Sequence, residues 1–168
     1  ATGILGSWLC LELLHRGAAV VALVKDSDPR SELFRTGDIN QVTVVNGNLH
    51  DYWTVESAIN ELDIQIVFHL GAQAIVGSAL RSPLSTFETN IRGTYNLLEA
   101  CRVHDDLVNS IVVASSDKAY GHHDNLPYTE DVPLAGRNPY DVSKTCADVI
   151  AQSYFATYGL PVGIARCG

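Results

Sequence analysis

Short apolar runs rich in β-branched residues alternate along the chain with segments of helical periodicity. Residues 19–24, 42–45, 64–70, 110–114 and 162–165 predict short buried strands. They lack strict apolar–polar alternation, as strands covered on both faces do. Between them, Leu5, Leu9 and Leu13 recur at helical spacing until Gly17 stops the segment. Ser82-Pro83 predicts a helix start, with serine as N-cap and proline in the first turn. That helix carries Phe87, Ile91, Tyr95, Leu98 and Cys101. Asn138-Pro139 opens another, running through Val142, Val149, Ile150 and Tyr154. Strand and helix in alternation imply right-handed crossovers, hence an α/β fold with a doubly wound parallel sheet. Residues 121–137 are polar, contain Pro127 and Pro133, and predict a long surface loop. Loops of that length are more often functional than idle.

Composition narrows what such a sheet serves. The chain has 168 residues and 18.2 kDa, one domain or a piece of a larger one. Hydrophobic residues at 46% against 18% charged allow a sizeable core and exclude wholesale disorder. Eleven Lys plus Arg stand against 19 Asp plus Glu, a net charge of -8, and the basic residues are scattered. That balance argues against nucleic acid as a partner, because phosphate contacts need clustered cations. No apolar stretch approaches the roughly 20 residues that span a bilayer, so no membrane segment is expected. Cys10, Cys101, Cys146 and Cys167 lack the close spacing of a zinc site, and no metal is expected. They predict free thiols in a reducing, cytoplasmic setting. No signal peptide opens the chain and it contains no methionine, so the sequence reads as cut from a longer one.

Three groups of residues carry candidate chemistry. Ala1-Thr-Gly-Ile-Leu-Gly6 precedes a helix, and glycines at 3 and 6 let a backbone approach a pyrophosphate; a plain tight turn fits as well. At the tip of the following strand stand Val24, Lys25 and Asp26. Lys25 is suited to a 2′-phosphate and Asp26 to a ribose hydroxyl, while a solvated pair in a loop is an equal reading, so NAD and NADP both remain open. Tyr140 and Lys144 lie four apart in the first turns of a helix, on one face. The ammonium and the helix N-terminus are expected to favour phenolate and lower the tyrosine's pKa. Such a tyrosine takes a proton from a substrate hydroxyl. The bland alternative is a surface Tyr/Lys pair. Upstream, a strand ends in Ser115-Ser-Asp-Lys-Ala-Tyr-Gly121, polar residues crowding the carboxyl end of a parallel strand, where ligands bind in such sheets.

Taken together these pieces resemble the extended short-chain dehydrogenase/reductase family, in particular its nucleotide-sugar 4,6-dehydratases. The resemblance rests on Ala1-Thr-Gly-x-x-Gly6, Gly47-Asn-Leu49, His69-Leu-Gly-Ala-Gln73, Thr89-Asn-Ile-Arg-Gly-Thr94, Ser115-Ser-Asp-Lys118 and Pro139-Tyr-Asp-Val-Ser-Lys144. Within that group, Ser-Ser-Asp-Lys-x-Tyr is similar to the CDP-glucose 4,6-dehydratases; the dTDP-glucose and GDP-mannose enzymes carry glutamate where Lys118 stands. The family's fingerprint is Gly-x-x-Gly-x-x-Gly, and its first glycine falls just before Ala1. The resemblance therefore implies that residues 1–168 are a Rossmann-type NAD(P)-binding domain lacking its first strand and the C-terminal sugar-nucleotide-binding part.

The resemblance also implies roles. The family oxidises the sugar at C4, removes water across C5 and C6, and returns the hydride to C6. On that pattern Tyr140 is the C4 base. Lys144 binds the nicotinamide ribose and lowers the pKa of Tyr140. Ser116 hydrogen-bonds the C4 oxygen, Asp117 protonates the departing C6 hydroxyl, and Lys118 takes the C5 proton, which requires a depressed pKa. Gly3, Leu5 and Gly6 line the pyrophosphate, Asn48 and Leu49 the adenine, and Leu70, Ala72 and Gln73 the nicotinamide side. The family usually has aspartate at the position of Asn48. A nucleotide-sugar substrate and a homodimer through the helices starting at Pro83 and Pro139, with Phe87 and Tyr154 facing outward, are implied as well. A nucleotide-sugar 4-epimerase or dehydrogenase needs Tyr140 and Lys144 without the Asp117/Lys118 pair. A non-catalytic cofactor-binding module needs none of them.

Overall fold

The structure, a computed structural model, describes residues 1–124 and 126–168; of the predicted loop over 121–137, Asn125 lies outside the described residues. The chain divides into two compact units, residues 1–48 and 49–168.

In the first unit the order is α1 (Ile4–His15), β1 (Val21–Val24), α2 (Glu32–Arg35), a 3-10 turn (Asp38–Gln41) and β2 (Thr43–Asn46). Gly17 ends α1 as expected: at φ +79° it turns the chain, so that its N–H and that of Ala18 reach the carbonyls of Leu14 and Leu13. β1 and β2 pair in parallel, Val21 opposite Thr43 and Val24 opposite Asn46. Cys10 and Leu11 of α1 pack with Val20, Ala22, Val24, Leu33 and Val42 into one buried cluster.

The second unit runs α3 (Tyr52–Glu61), β3 (Ile66–His69), α4 (Val76–Arg81), α5 (Pro83–Phe87), a π-helical turn (Glu88–Arg92), α6 (Gly93–Val103), β4 (Ser110–Ser116), a 3-10 turn (Asp117–Tyr120), α7 (Pro139–Tyr158) and β5 (Val162–Cys167). Its sheet is parallel in the order β3-β4-β5. The α/β, doubly wound, Rossmann-type class predicted from the sequence is the fold observed.

Three local expectations need correction. The strands of this unit are not covered on both faces: β3 alternates exposed and buried residues, and Phe68 keeps 38% of its surface exposed. The physical reason is that α3, α6 and α7 pack on one another as one layer, so one face of the sheet receives them. The helix opened by Pro83 does reach Val103, but it passes through the π-helical turn, a wide turn that shifts the register of everything after it. Ser82 and Asn138 stand at the N-cap positions without a side-chain cap bond; the Ser82 carbonyl instead accepts from Thr86 Oγ1 at 3.0 Å.

Candidate active site

α7 carries the centre of the site on its inner face. Tyr140, Lys144 and Asp148 follow one another at i, i+4 and i+8, and all three are buried. Lys144 Nζ donates to the carbonyl of Ala114 on β4 at 2.8 Å, and burial holds its pKa below the usual lysine value. An ammonium has three donors, so this bond leaves others to offer a ligand. The expected lowering of Tyr140's pKa is not seen. Burial raises it, and the hydrogen bond with Ser116 pulls the other way without reversing the direction. The helix geometry puts Tyr140 and Lys144 on one face, as predicted, but the lysine points its charge at a strand carbonyl, and desolvation of the phenol wins.

The turn after β4 supplies the second group. Ser116 caps it, Oγ accepting from the Lys118 N–H at 3.2 Å and donating to Asp117 Oδ1 at 3.1 Å. Lys118 Nζ meets Asp117 Oδ2 at 2.7 Å. The pair therefore rests in the opposite protonation state from the one its implied roles need: the lysine holds the carboxyl's pKa down, and the carboxylate holds the lysine's up. A cavity of about 1120 Å³ opens beside the turn, with Asp117, Lys118, Tyr120, Tyr128, Glu130 and Arg166 on its wall.

The sequence reading passed over the buried hub between these parts. Asn90, 2% exposed in the π-helical turn, accepts from the Gln73 N–H at 2.7 Å and donates to the Gln73 carbonyl at 3.2 Å and Ser143 Oγ at 2.8 Å. Ser143 in turn donates to the Tyr140 carbonyl at 2.7 Å. One asparagine thus ties the segment after β3 to the first turn of α7. The signal was present: asparagine is a poor residue for a helix interior unless its amide has partners there. Nearby, His69 is buried and shares a 2.8 Å hydrogen bond with Thr94 Oγ1, which itself donates to the Asn90 carbonyl. Burial, helped by the charge of Lys144, pushes the pKa of His69 down to about 3, so the ring is neutral.

The remaining predicted residues fall in four places, at the start of α1 and just after β1, β2 and β3. Gly3 caps α1 with extended backbone, nothing lies within 4 Å of where its Cβ would be, and the first turn has no acidic residue. Gly6 is closely packed: a Cβ there would come within 2.7 Å of the Ala1 carbonyl oxygen. The N–H groups of Ile4, Leu5 and Gly6 precede the first N–H of the helical ladder, Ser7 to Gly3 at 2.9 Å. Such a helix start, open at Gly3, fits a diphosphate. Lys25 forms an exposed 3.9 Å ion pair with Asp26 at the tip of β1, a geometry worth little in water. Asn48 closes the first unit, just after β2. In the second unit Leu49 is wedged against two glycines, its Cδ1 2.5 Å from a Cβ built on Gly71 and its Cβ 2.8 Å from one on Gly93. Leu70 and Ala72, half-buried, follow β3, and the backbone of Gln73 is the part that Asn90 holds. Among the described residues no three His, Cys, Asp or Glu gather as a metal site, and no helix is long and apolar enough to cross a membrane.

The structure thus brings a buried Tyr–Lys pair on a helix beside a polar turn at the carboxyl end of a parallel strand. The family profile described as GDP-mannose 4,6 dehydratase matches residues 1–168, and the chain belongs to that family. It is 31% identical to the CDP-glucose 4,6-dehydratase of Salmonella typhimurium, over 99% of this chain and 47% of that protein. It is 34% identical to a UDP-glucose 4-epimerase of Bacillus subtilis, over 89% of this chain and 44% of that protein. Among solved structures, the dTDP-glucose 4,6-dehydratase DesIV of Streptomyces venezuelae, with NAD and TYD bound, superimposes with a TM-score of 0.86 at 27% identity, covering 99% of this chain and 53% of that one. The chain spans about half the length of the relatives it matches.

Proposed function

We propose that the protein of which these residues are the cofactor domain is a nucleotide-sugar 4,6-dehydratase, a hydro-lyase converting CDP-glucose to CDP-4-keto-6-deoxyglucose. The observation that carries the reading is the 2.7 Å Asp117–Lys118 pair, set one residue beyond the serine that hydrogen-bonds Tyr140. The CDP-glucose assignment is supported by the lysine at 118 and by the similarity to the Salmonella enzyme.

NAD is the cofactor of this reading, supported by the NAD-bound neighbour and by the open helix start at Gly3. When bound, it would supply the acceptor for the C4 hydride and the donor of that hydride to C6. Gly3, Leu5 and Gly6 would hold the diphosphate, Asn48 and Leu49 would flank the adenine, and Leu70, Ala72, Gln73 and Lys144 would face the nicotinamide riboside. Tyr140 takes the proton of the C4 hydroxyl, with Ser116 Oγ bonded to the same oxygen. Burial holds its pKa above the usual tyrosine value, and a positive charge brought close to the phenol would favour the phenolate.

Elimination then needs one proton removed at C5 and one delivered at C6. The resting pair holds one proton, on Lys118. A sugar that expels water from the pair penalises the charge-separated form and favours neutral amine beside carboxylic acid, with no change in proton count. From that form Lys118 takes the C5 proton while Asp117 protonates the C6 hydroxyl, which leaves as water. The C5–C6 double bond forms and the pair returns to ammonium and carboxylate; Lys118 then gives the proton back to C5 as hydride is added at C6. Four further parts of this reading are a cytoplasmic location, a homodimer, no nucleic acid partner and no membrane partner.

The test is incubation of the full-length protein with CDP-glucose. The expected product is a 4-keto-6-deoxy sugar nucleotide. CDP-galactose as the sole product would establish a 4-epimerase instead, the reading that the Bacillus relative favours.

A further inference from the structure

Arg166 lies on β5, outside every motif that the sequence reading singled out. Its guanidinium nevertheless makes four hydrogen bonds to three separate segments. Nε and Nη2 grip Asp148 of α7 at 2.9 and 3.1 Å; Nη1 reaches Tyr120 Oη at 2.9 Å and the Glu130 carbonyl at 3.1 Å. Asp148 is fully buried and also accepts from Gln152 at 2.7 Å, so its carboxylate is fixed on both oxygens. A planar fork held this way has one orientation, and its remaining arm has one direction. That arm points at Tyr120, the last residue of the turn that begins with Asp117 and Lys118.

The anchoring ties that turn to α7. Asp148 stands one helical turn beyond Lys144 and two beyond Tyr140, on the same buried face of α7. Arg166 therefore fixes the end of the Asp117–Tyr120 turn against the face that carries the tyrosine and lysine. A second tie acts in parallel: Thr145 Oγ1 donates to the Ala119 carbonyl at 3.0 Å. The ring of Tyr120 is further held between Tyr128, with centroids 5.1 Å apart, and the guanidinium, 5.1 Å from its centroid.

We infer that Arg166, held by Asp148 and acting through the Tyr120 hydroxyl, is a positioning residue that sets Asp117 and Lys118 against Tyr140 for the elimination step. This rests on the dehydratase reading. Oxidation at C4 uses Tyr140 and Lys144 of α7 with Ser116 at the end of β4, which is held by the strand pairing rather than by the strap. Elimination uses the turn and depends on it.

Tyr120→Phe in the full-length holoenzyme is the test, because it removes one hydroxyl and leaves the ring, the turn backbone and the buried Asp148–Arg166 pair in place. With CDP-glucose in a single turnover, formation of reduced nicotinamide should keep its rate within about twofold. Release of the 4-keto-6-deoxy product should slow at least about tenfold, by the logic that a misplaced general acid loses most of its effect. Backbone amide exchange at residues 118–121 should quicken while the melting temperature stays within a few degrees. Arg166→Lys, which cannot make the fork, should show the same split between steps. Equal slowing of both steps, or of neither, in a variant that melts normally would overturn the strap. If the wild-type protein forms an epimer and no dehydrated product, the dehydratase reading fails first and the inference falls with it.

Discussion

His69 is a buried titrating group beside the site. Buried beside Lys144 and Thr94, it has a pKa of about 3 in the folded protein against 6.5 in an open chain. Between those values the unfolded chain binds a proton that the folded one refuses. The stability contributed by the neutral ring is therefore complete above about pH 6.5 and is lost as pH falls toward 3. Between pH 7 and pH 5 the loss should be about 2 kcal/mol. Denaturant midpoints measured at both pH values should show it, and His69→Gln should remove that part of the slope. An unchanged slope in the variant would mean that the ring is reached by water. Tyr140 illustrates the opposite lesson at the same scale. Its spacing from Lys144 was readable, but its pKa direction was not, because the direction depends on where Nζ points and how much water the fold removes.

At the scale of elements, backbone conformation decides what a substitution does. Gly121 ends the Asp117–Tyr120 turn at φ +73° and ψ −148°, a region that side chains avoid, and a Cβ there would stand 2.3 Å from the Ala135 carbonyl oxygen. Gly121→Ala should cost at least about 1–3 kcal/mol, seen as a melting temperature lowered by several degrees. Gly3→Ala should leave the melting temperature of the cofactor-free protein alone, since its backbone is ordinary and its surroundings open, while weakening retention of NAD. A stability loss at Gly3, or none at Gly121, would contradict this. The strands, α1 and α7 were legible because burial writes apolar runs and helical spacing into the chain. α3 is legible too, in the spacing of Tyr52, Val55 and Ile59. The π-helical turn was not legible: it depends on Asn90 finding Gln73 and Ser143, partners 17 and 53 residues away. Arg166 was invisible for the same reason. An arginine at the end of a strand carries no local sign of an aspartate on the preceding helix.

At the scale of the whole molecule, apolar surface remains on the long helices. Phe87 and Tyr154 are not the outward residues expected: both are half-buried, and Tyr154 Oη donates to Glu99 at 3.1 Å. Leu84 at 72%, Phe155 at 60% and Val149 at 50% exposure are among the apolar residues on show. Homodimerisation through these helices should be abolished by Phe155→Glu, with light scattering reporting a dimer for the wild-type full-length protein and a monomer for the variant. A monomeric wild type at micromolar concentration would remove the dimer from the account. The central claim is that Asp117 and Lys118 move a proton from C5 to the C6 hydroxyl, and Asp117→Asn in the full-length enzyme tests it most directly. The amide keeps the shape of the acid but has no proton to give, so with CDP-glucose the nicotinamide should become reduced at the normal rate and stay reduced. The 4-keto-6-deoxy product should form roughly 10²–10⁴-fold more slowly. Product formation at the wild-type rate would contradict the account and leave Asp117 as the structural partner of Lys118.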